Sequence, residues 1–334
     1  MQFDQLKRRE FITLLGGAAL WPLAARAQQP ERMRRIGALM LYAENDPVGQ
    51  SRSVVFRQEL EKLGWMLGRN LMIDFHWGVG DDDWTRAAVA QLLARTPDLI
   101  LANGSATVRP MQQATRTVPI IFIGGGGDPV AEGFVQSLAH PGGNLTGFTV
   151  LEPSIGAKLL ELLKEIAPRV SHVTIMLNPD SISSQRLAAS AAAAAQKFAV
   201  EVVTMPAREP AKIATALATL AGERGDGLIV PPDPATNTHR KQIVDLAANH
   251  RLPAIYGLRS ATVEGGLMSY GVDISDLFRK AAVYADRILK GEKPGELPVQ
   301  IPTKFELVIN LKAAAALDIA VPPTLLAIAD EVIE

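Results

Sequence analysis

Four groups of residues in this sequence are of types that do chemistry. Gly124-Gly125-Gly126-Gly127-Asp128 has the composition of a loop whose backbone N–H groups cradle a phosphate. Its continuation argues against that use, because Pro129 follows and no Lys-Ser or Lys-Thr pair stands at the required spacing. Asp81-Asp82-Asp83 offers paired carboxylates for acid–base work. Ahead of a helical pattern, however, aspartates are favoured by capping and by the helix dipole. The histidines, His76, His140, His172, His239 and His250, are scattered, and no two form a helical metal-binding pair. Ser105 follows Asn103-Gly104 and lacks the Gly-x-Ser-x-Gly elbow of a hydrolase nucleophile. The chain has no cysteine. Thiolate metal sites, cysteine nucleophiles, disulfides and a lipid-modified N-terminal cysteine are therefore excluded. No catalytic centre, metal site or cofactor is expected, which leaves binding as the work of these residues.

The elements that must position them follow one rhythm. Strand-like runs at 35–42, 71–77, 99–103 and 119–123 alternate with helical patterns at 54–63, 84–95 and 107–115. Leu99-Ile100-Leu101-Ala102 is continuously apolar, as in strands covered on both faces within a parallel sheet. A second series begins after Gly147. Helices at 154–167, 184–199, 210–224 and 238–250 alternate with strands at 173–177, 201–205, 227–230 and 253–256. His140-Pro141-Gly142-Gly143-Asn144-Leu145-Thr146-Gly147 separates the two series and reads as a flexible crossing. The tail breaks the rhythm with a strand at 266–270, a helix at 275–289, a loop at 291–295 and a strand at 305–310. Two short helices close the chain. This predicts two α/β lobes with parallel sheets, between which the chain passes more than once.

With 334 residues, the chain has the length of about two domains. Its formal net charge of −1 supplies no basic face, so nucleic acid is not an expected partner. The N-terminus carries Lys7-Arg8-Arg9-Glu10-Phe11-Ile12, an apolar run at 14–25 and Ala25-Arg26-Ala27. That is the layout of a secretory signal, with a twin-arginine pair ahead of the apolar run. Residues 1–27 are expected to be removed at export, near Ala27. The run is about half the length a membrane-spanning helix needs, so no stable membrane insertion is expected. A freely diffusing periplasmic monomer is.

Several segments together resemble one family. They are 97–100 leading to Asn103-Gly104-Ser105-Ala106, Val118-Pro119-Ile120-Ile121-Phe122 leading to Gly127-Asp128-Pro129-Val130, and Gly133-Phe134-Val135. Pro141-Gly142-Gly143-Asn144-Leu145-Thr146-Gly147, Leu307-Val308-Ile309-Asn310-Leu311 and the ending Ala329-Asp330-Glu331-Val332-Ile333-Glu334 complete the set. Over residues 35–334 the chain resembles the substrate-binding proteins of ABC transporters, in the family that includes the tryptophan- and tyrosine-binding type. The resemblance implies the periplasmic binding protein type I fold, with two Rossmann-like lobes and about three crossings. One lobe is expected over 35–146 plus about 274–300, the other over 147–273 plus about 304–334. It further implies a small-molecule ligand, an amino acid or related carboxylate, and an ABC transporter membrane permease as partner, with no reaction catalysed. A periplasmic sensor subunit for a receptor and an exported two-lobed enzyme are the competing readings.

Ligand contacts are expected where strand ends of both lobes face the cleft. In the first lobe Ser105, Ala106 and Thr107 open a helix whose free N–H groups suit a carboxylate, unless the hydroxyls only cap it. Gly125 and Asp128 follow the fourth strand, and Asn45 follows the first. In the second lobe the candidates are Asn178, Asp233, Thr236 and Tyr256. Tyr256 would stack on a planar ligand or pack half-buried. Asp273 lies at the expected second crossing, as a contact or as the cap of the helix beginning near Ser275.

Overall fold

A computed structural model describes residues 32–78, 82–124, 128–150, 154–179, 181–206, 210–220 and 225–334. The signal-like residues 1–27 and the candidate Gly125 lie outside them.

Five strands, β1 (Arg34–Met40), β2 (Leu71–Trp77), β3 (Leu99–Asn103), β4 (Ile120–Ile123) and β5 (Leu145–Phe148), form one parallel sheet in the order β2-β1-β3-β4-β5. Every residue of β3 and β4 is buried, which explains the unbroken apolar runs 99–102 and 120–123. Within β1 the side chains alternate between two cores. Ile36, Ala38 and Met40 join Phe56 and Leu60 of helix α1 (Pro47–Lys62), while Leu39 joins Ala88, Val89 and Leu92 of α2 (Asp82–Ala94). Helix α3 (Ser105–Ala114) adds Val108 and Met111 to the second core.

The start of α1 lies seven residues earlier than its apolar pattern suggests. Asp46 caps it, accepting from the N–H groups of Val48 (2.8 Å) and Gly49 (3.1 Å), and Pro47 occupies the first turn. The glycine-rich segment 140–147 is not the crossing the sequence suggests. It leads into β5, and the Asn144 amide ties it down by donating to the Val118 carbonyl (2.8 Å). β5 runs two residues past the expected lobe boundary at 146, and the chain leaves this sheet after Phe148.

The second sheet holds β6 (His172–Leu177), β7 (Glu201–Pro206), β8 (Asp226–Val230), β9 (Ala254–Tyr256), β10 (Met268–Val272), β11 (Phe305–Asn310) and β12 (Glu331–Ile333), in the order β12-β11-β10-β9-β8-β6-β7. One face packs on α4 (Ile155–Ile166) and α5 (Ile182–Ala194). The other packs on α6 (Pro210–Leu220) and α8 (Arg240–Asn249), with the short α7 (Pro234–Thr238) between them in sequence. Gly156 lets α4 approach α5, since a Cβ there would lie 2.1 Å from the Leu187 carbonyl oxygen.

This sheet departs from the all-parallel expectation at β11, which runs antiparallel to β10. After β9 and the short α9 (Arg259–Val263), β10 completes the parallel series, and α10 (Ile274–Leu289) then packs on the first sheet. Its Leu277, Phe278, Ala281 and Ala285 share a core with Phe56 and Leu60. The Trp65 indole N–H also donates to Asp286 of α10 (2.9 Å). The chain runs beside β5 as far as Gln300, whose N–H donates to Gly147 (2.9 Å), and returns to the second sheet as β11. It re-enters at the cleft end where β10 left, with Phe305 beside Val272, hence the reversed direction. Short helices α11 (Leu311–Ala316) and α12 (Pro323–Ile328) precede β12. Three crossings thus connect the lobes, after Phe148, at Asp273 and at 301–304. The last two are joined through the Asp273 N–H and the Lys304 carbonyl (3.2 Å). Among the described residues, no helix is long and apolar enough to cross a membrane.

Candidate functional site

The carboxyl ends of both sheets face a single cleft. β1 delivers Leu41 and Tyr42 to it, β3 delivers Asn103 and Gly104, and β4 delivers Ile123 and Gly124. Across from them β8 delivers Pro232 and Asp233, β9 delivers Gly257 and Leu258, and the start of α5 supplies Ser181 and Ser183. Val272 and Ile274 line the cleft on either side of the second crossing. The cavity it encloses is about 130 Å³, room for a small organic solute. Gly104 allows the β3 end to close on β1. Its φ of 91° is left-handed, and a Cβ there would lie 2.3 Å from the Leu41 side chain.

Charge is distributed unevenly around the cleft. Asp233 is 4% exposed; it accepts from the Asn178 amide (3.3 Å) and the Ser184 hydroxyl (3.1 Å). Arg52 is 8% exposed and lines the cleft, with its guanidinium 4.9 Å from the centre of the Tyr42 ring. Burial pulls its pKa down to about 9, and Arg240 pushes the same way against Glu306 and Asp273. It remains a cation at neutral pH.

Among the described residues, two ion pairs span the lobes. Arg240 at the start of α8 donates to Asp46 of the first lobe (2.9 Å) and to Glu264 of its own lobe (2.7 Å), and both interlobe partners are largely buried. Burial opposes the Arg240 charge, but these two carboxylates raise its pKa overall. Farther out, Arg186 of α5 donates to Asp128 (3.2 Å). The two lobes are closed on each other.

The sequence-derived candidates divide accordingly. Asp233 lines the cleft, and the Asn178 amide, outside the lining, donates to it. Ser105 is the first residue of α3, and its side chain lies outside the described residues; Ala106 is exposed, away from the cleft lining. Thr107 is wholly buried, and its hydroxyl donates to the Gly104 carbonyl (2.8 Å), so it secures the turn. Thr236 is likewise buried, with its hydroxyl 2.8 Å from the Pro231 carbonyl oxygen. Asn45 is exposed outside the cleft, while its neighbour Asp46 makes the interlobe bond.

Asp128 accepts from the N–H groups of Ala131 (3.0 Å) and Val130 (3.2 Å), and its cation is Arg186. The Ala131 bond, against burial and aided by Arg186, holds its carboxyl below the usual range. Asp273 caps α10 through the Asp276 N–H (3.0 Å) and pairs with Lys304 (2.9 Å) and Arg279 (3.2 Å). Burial opposes ionisation there, but these partners outweigh it and keep the carboxyl low. Tyr256 does not stack in the cleft. It points from β9 into the core with Ile213, Leu217 and Val244, and it is Gly257, one residue on, that faces the cavity.

Sequence reasoning missed Tyr42 and Arg52. Arg52 lies on the buried stripe Gly49, Arg52, Ser53, Phe56, Leu60 of α1, and an arginine on such a stripe is the signal that finds it.

Two Rossmann-like lobes joined by three crossings, with a cleft between their strand ends, define the periplasmic binding protein type I fold. Residues 47–333 match the family of ABC transporter substrate binding proteins, and the chain belongs to that family. It is 30% identical over 263 residues to a tyrosine-binding protein of Clostridioides difficile (strain R20291), covering 79% of this chain and 75% of that protein. A Streptococcus pneumonia structure, an ABC domain in complex with L-Trp, superposes with a TM-score of 0.81 at 25% identity, covering 90% of this chain and all of that one. A ligand-free, open substrate-binding protein from Clostridium difficile gives 0.68 at 25% identity, over 90% of this chain and 99% of that one. These relatives are binding proteins, and this chain is one too rather than an enzyme.

Proposed function

We propose that this protein is exported to the periplasm and closes its two lobes around a small organic solute, an amino acid or related carboxylate with an aromatic side chain as first candidate, which it delivers to a membrane permease. The observation that carries this reading is the cleft itself: apolar walls, polar groups from both lobes and a buried interlobe ion pair across its edge. The better superposition on the tryptophan complex than on the open, ligand-free relative agrees with a closed state shaped for a ligand. The signal-like N-terminus supports export.

Binding energy drives closure only as far as the solute touches both lobes. Strand ends of both sheets line the cleft, so a bound solute supplies that bridge. A permease that recognises the closed form would then sense occupancy. A thermal-shift screen of amino acids and aromatic acids tests the reading. A solute at 100 times its Kd adds about 2.7 kcal/mol, or about 4 °C in Tm for a chain of this size. No shift with any of them, alongside a clear shift with a sugar, refutes the solute class.

A further inference from the structure

Arg52 differs from the other cations around the cleft. Arg240 is paired with Asp46 and Glu264, Arg186 with Asp128, and Lys304 and Arg279 with Asp273. Among the described residues, no hydrogen bond or ion pair meets the Arg52 guanidinium; it lies over the Tyr42 ring, and the acids Glu306 and Asp273 act on it only through space. A largely buried cation whose N–H groups are unpaired and face a cleft is costly to hold there, and such groups cluster at binding sites. The guanidinium fork matches a carboxylate bidentately, and Tyr42 stacking holds its plane. The uncapped N-terminus of α3 opens at the same cleft, beside Gly104, and adds a favourable dipole for an anion.

The acidic side of the cleft is arranged differently. Asp233 already receives the Asn178 amide and the Ser184 hydroxyl, one on each oxygen. Both of its oxygens are thus already hydrogen-bonded within their own lobe. The Arg52 N–H groups, by contrast, have no hydrogen-bond partner among the described residues, and the apolar walls at Leu41, Ile123 and Ile155 suit the body of an organic acid rather than inorganic phosphate.

We propose that Arg52 is the carboxylate anchor of the cleft, and that the solute's carboxylate is the indispensable group while an α-ammonium is dispensable. This rests on the reading of the cleft as a solute site. The test is calorimetric titration of the full protein with three probes: L-tyrosine, 3-(4-hydroxyphenyl)propionate, which lacks the ammonium, and tyramine, which lacks the carboxylate. The two acids should bind within tenfold of each other, and tyramine should bind at least 100-fold more weakly. Arg52→Gln should weaken both acids at least 30-fold, and Arg52→Lys, which keeps the charge but not the fork, should recover part of that loss. Because Arg52→Gln removes a largely buried charge whose N–H groups are unpaired, the free variant should melt at or above the wild-type temperature.

Tyramine binding as tightly as L-tyrosine overturns the proposal but leaves solute binding intact. So does an Arg52→Gln Kd within threefold of wild type. A variant that melts more than 5 °C lower would assign Arg52 to the core instead. Binding of none of the three probes, with a melting shift by D-galactose, overturns both the proposal and the solute class beneath it.

Discussion

Replacing Asp46 with asparagine isolates the energetics of closure. Asp46 does two jobs with separate oxygens: Oδ1 caps α1, and Oδ2 accepts from Arg240 across the cleft at 2.9 Å. Asparagine caps a helix about as well as aspartate, so Asp46→Asn keeps the first job and removes the charge that performs the second. The side chains of Arg240 and Asp46 are 16% and 14% exposed, so solvent screens the pair little. A hydrogen bond between charged groups contributes about 1.5–3 kcal/mol net. Arg240 keeps Glu264 at 2.7 Å in the variant, so no bare charge is left behind to inflate the loss. The bond exists only when the lobes meet, so the whole of it falls on the closed, ligand-holding state. At 1.4 kcal/mol per factor of ten, Kd should rise about 10- to 150-fold.

The outer pair, Arg186 with Asp128, sets the contrast. Its side chains are 44% and 32% exposed, where ion pairs contribute about 0–1 kcal/mol, and Asp128→Asn should weaken binding by no more than about fivefold. The assay is calorimetry with the tightest binder among L-tryptophan, L-tyrosine and 3-(4-hydroxyphenyl)propionate, with stopped-flow dissociation to show that the loss lies in a faster off-rate. The free variant should melt within 2 °C of wild type. A Kd for Asp46→Asn within twofold of wild type would refute the assignment of this pair to closure.

Two further outcomes follow from the same geometry. Burial, with Asp273 acting in the same direction against Arg259, pushes the Glu306 carboxyl from its ordinary 4.5 up to about 7. The folded protein therefore holds this proton more tightly than the unfolded chain does. The resulting stability is full below about pH 4.5 and is lost as pH rises through about 7. Melting temperature should fall between pH 5.5 and pH 8, and Glu306→Gln should flatten that fall and raise Tm at pH 8; an unchanged pH profile would exclude Glu306 as its source. Tyr256→Phe should leave solute affinity within twofold, because the ring lies in the core, whereas Tyr256→Ala should cost about 3–5 kcal/mol in urea unfolding. A large affinity loss in the phenylalanine variant would return Tyr256 to the cleft.

The alternation of strands and helices was legible because β3 and β4 are apolar on both faces, a pattern set by burial alone. The recrossing was legible for the opposite reason: 275–289 and 305–310 do not continue the rhythm before them. What stayed hidden depends on contacts distant in sequence. The direction of β11 follows from where α10 leaves the chain, and local pattern carries no trace of it. Asp233 was legible because it follows a strand. Arg52 was not, because its helix is read first as an amphipathic surface helix, and its burial depends on α10 packing against α1 more than 220 residues later. Thr107, Thr236 and Tyr256 show the reverse error. Polar or aromatic side chains at strand ends meet the cleft only when the last pleat points that way, and here they serve the turn and the core.

Small-angle X-ray scattering of the full protein, titrated with L-tryptophan, L-tyrosine and 3-(4-hydroxyphenyl)propionate, tests the central claim most directly. At least one of them should shrink the radius of gyration saturably and return intact after prolonged incubation, as expected when two lobes close on a solute without altering it. Scattering that stays unchanged at saturating concentrations of a calorimetrically confirmed binder, or a ligand recovered as a different compound, would contradict the account.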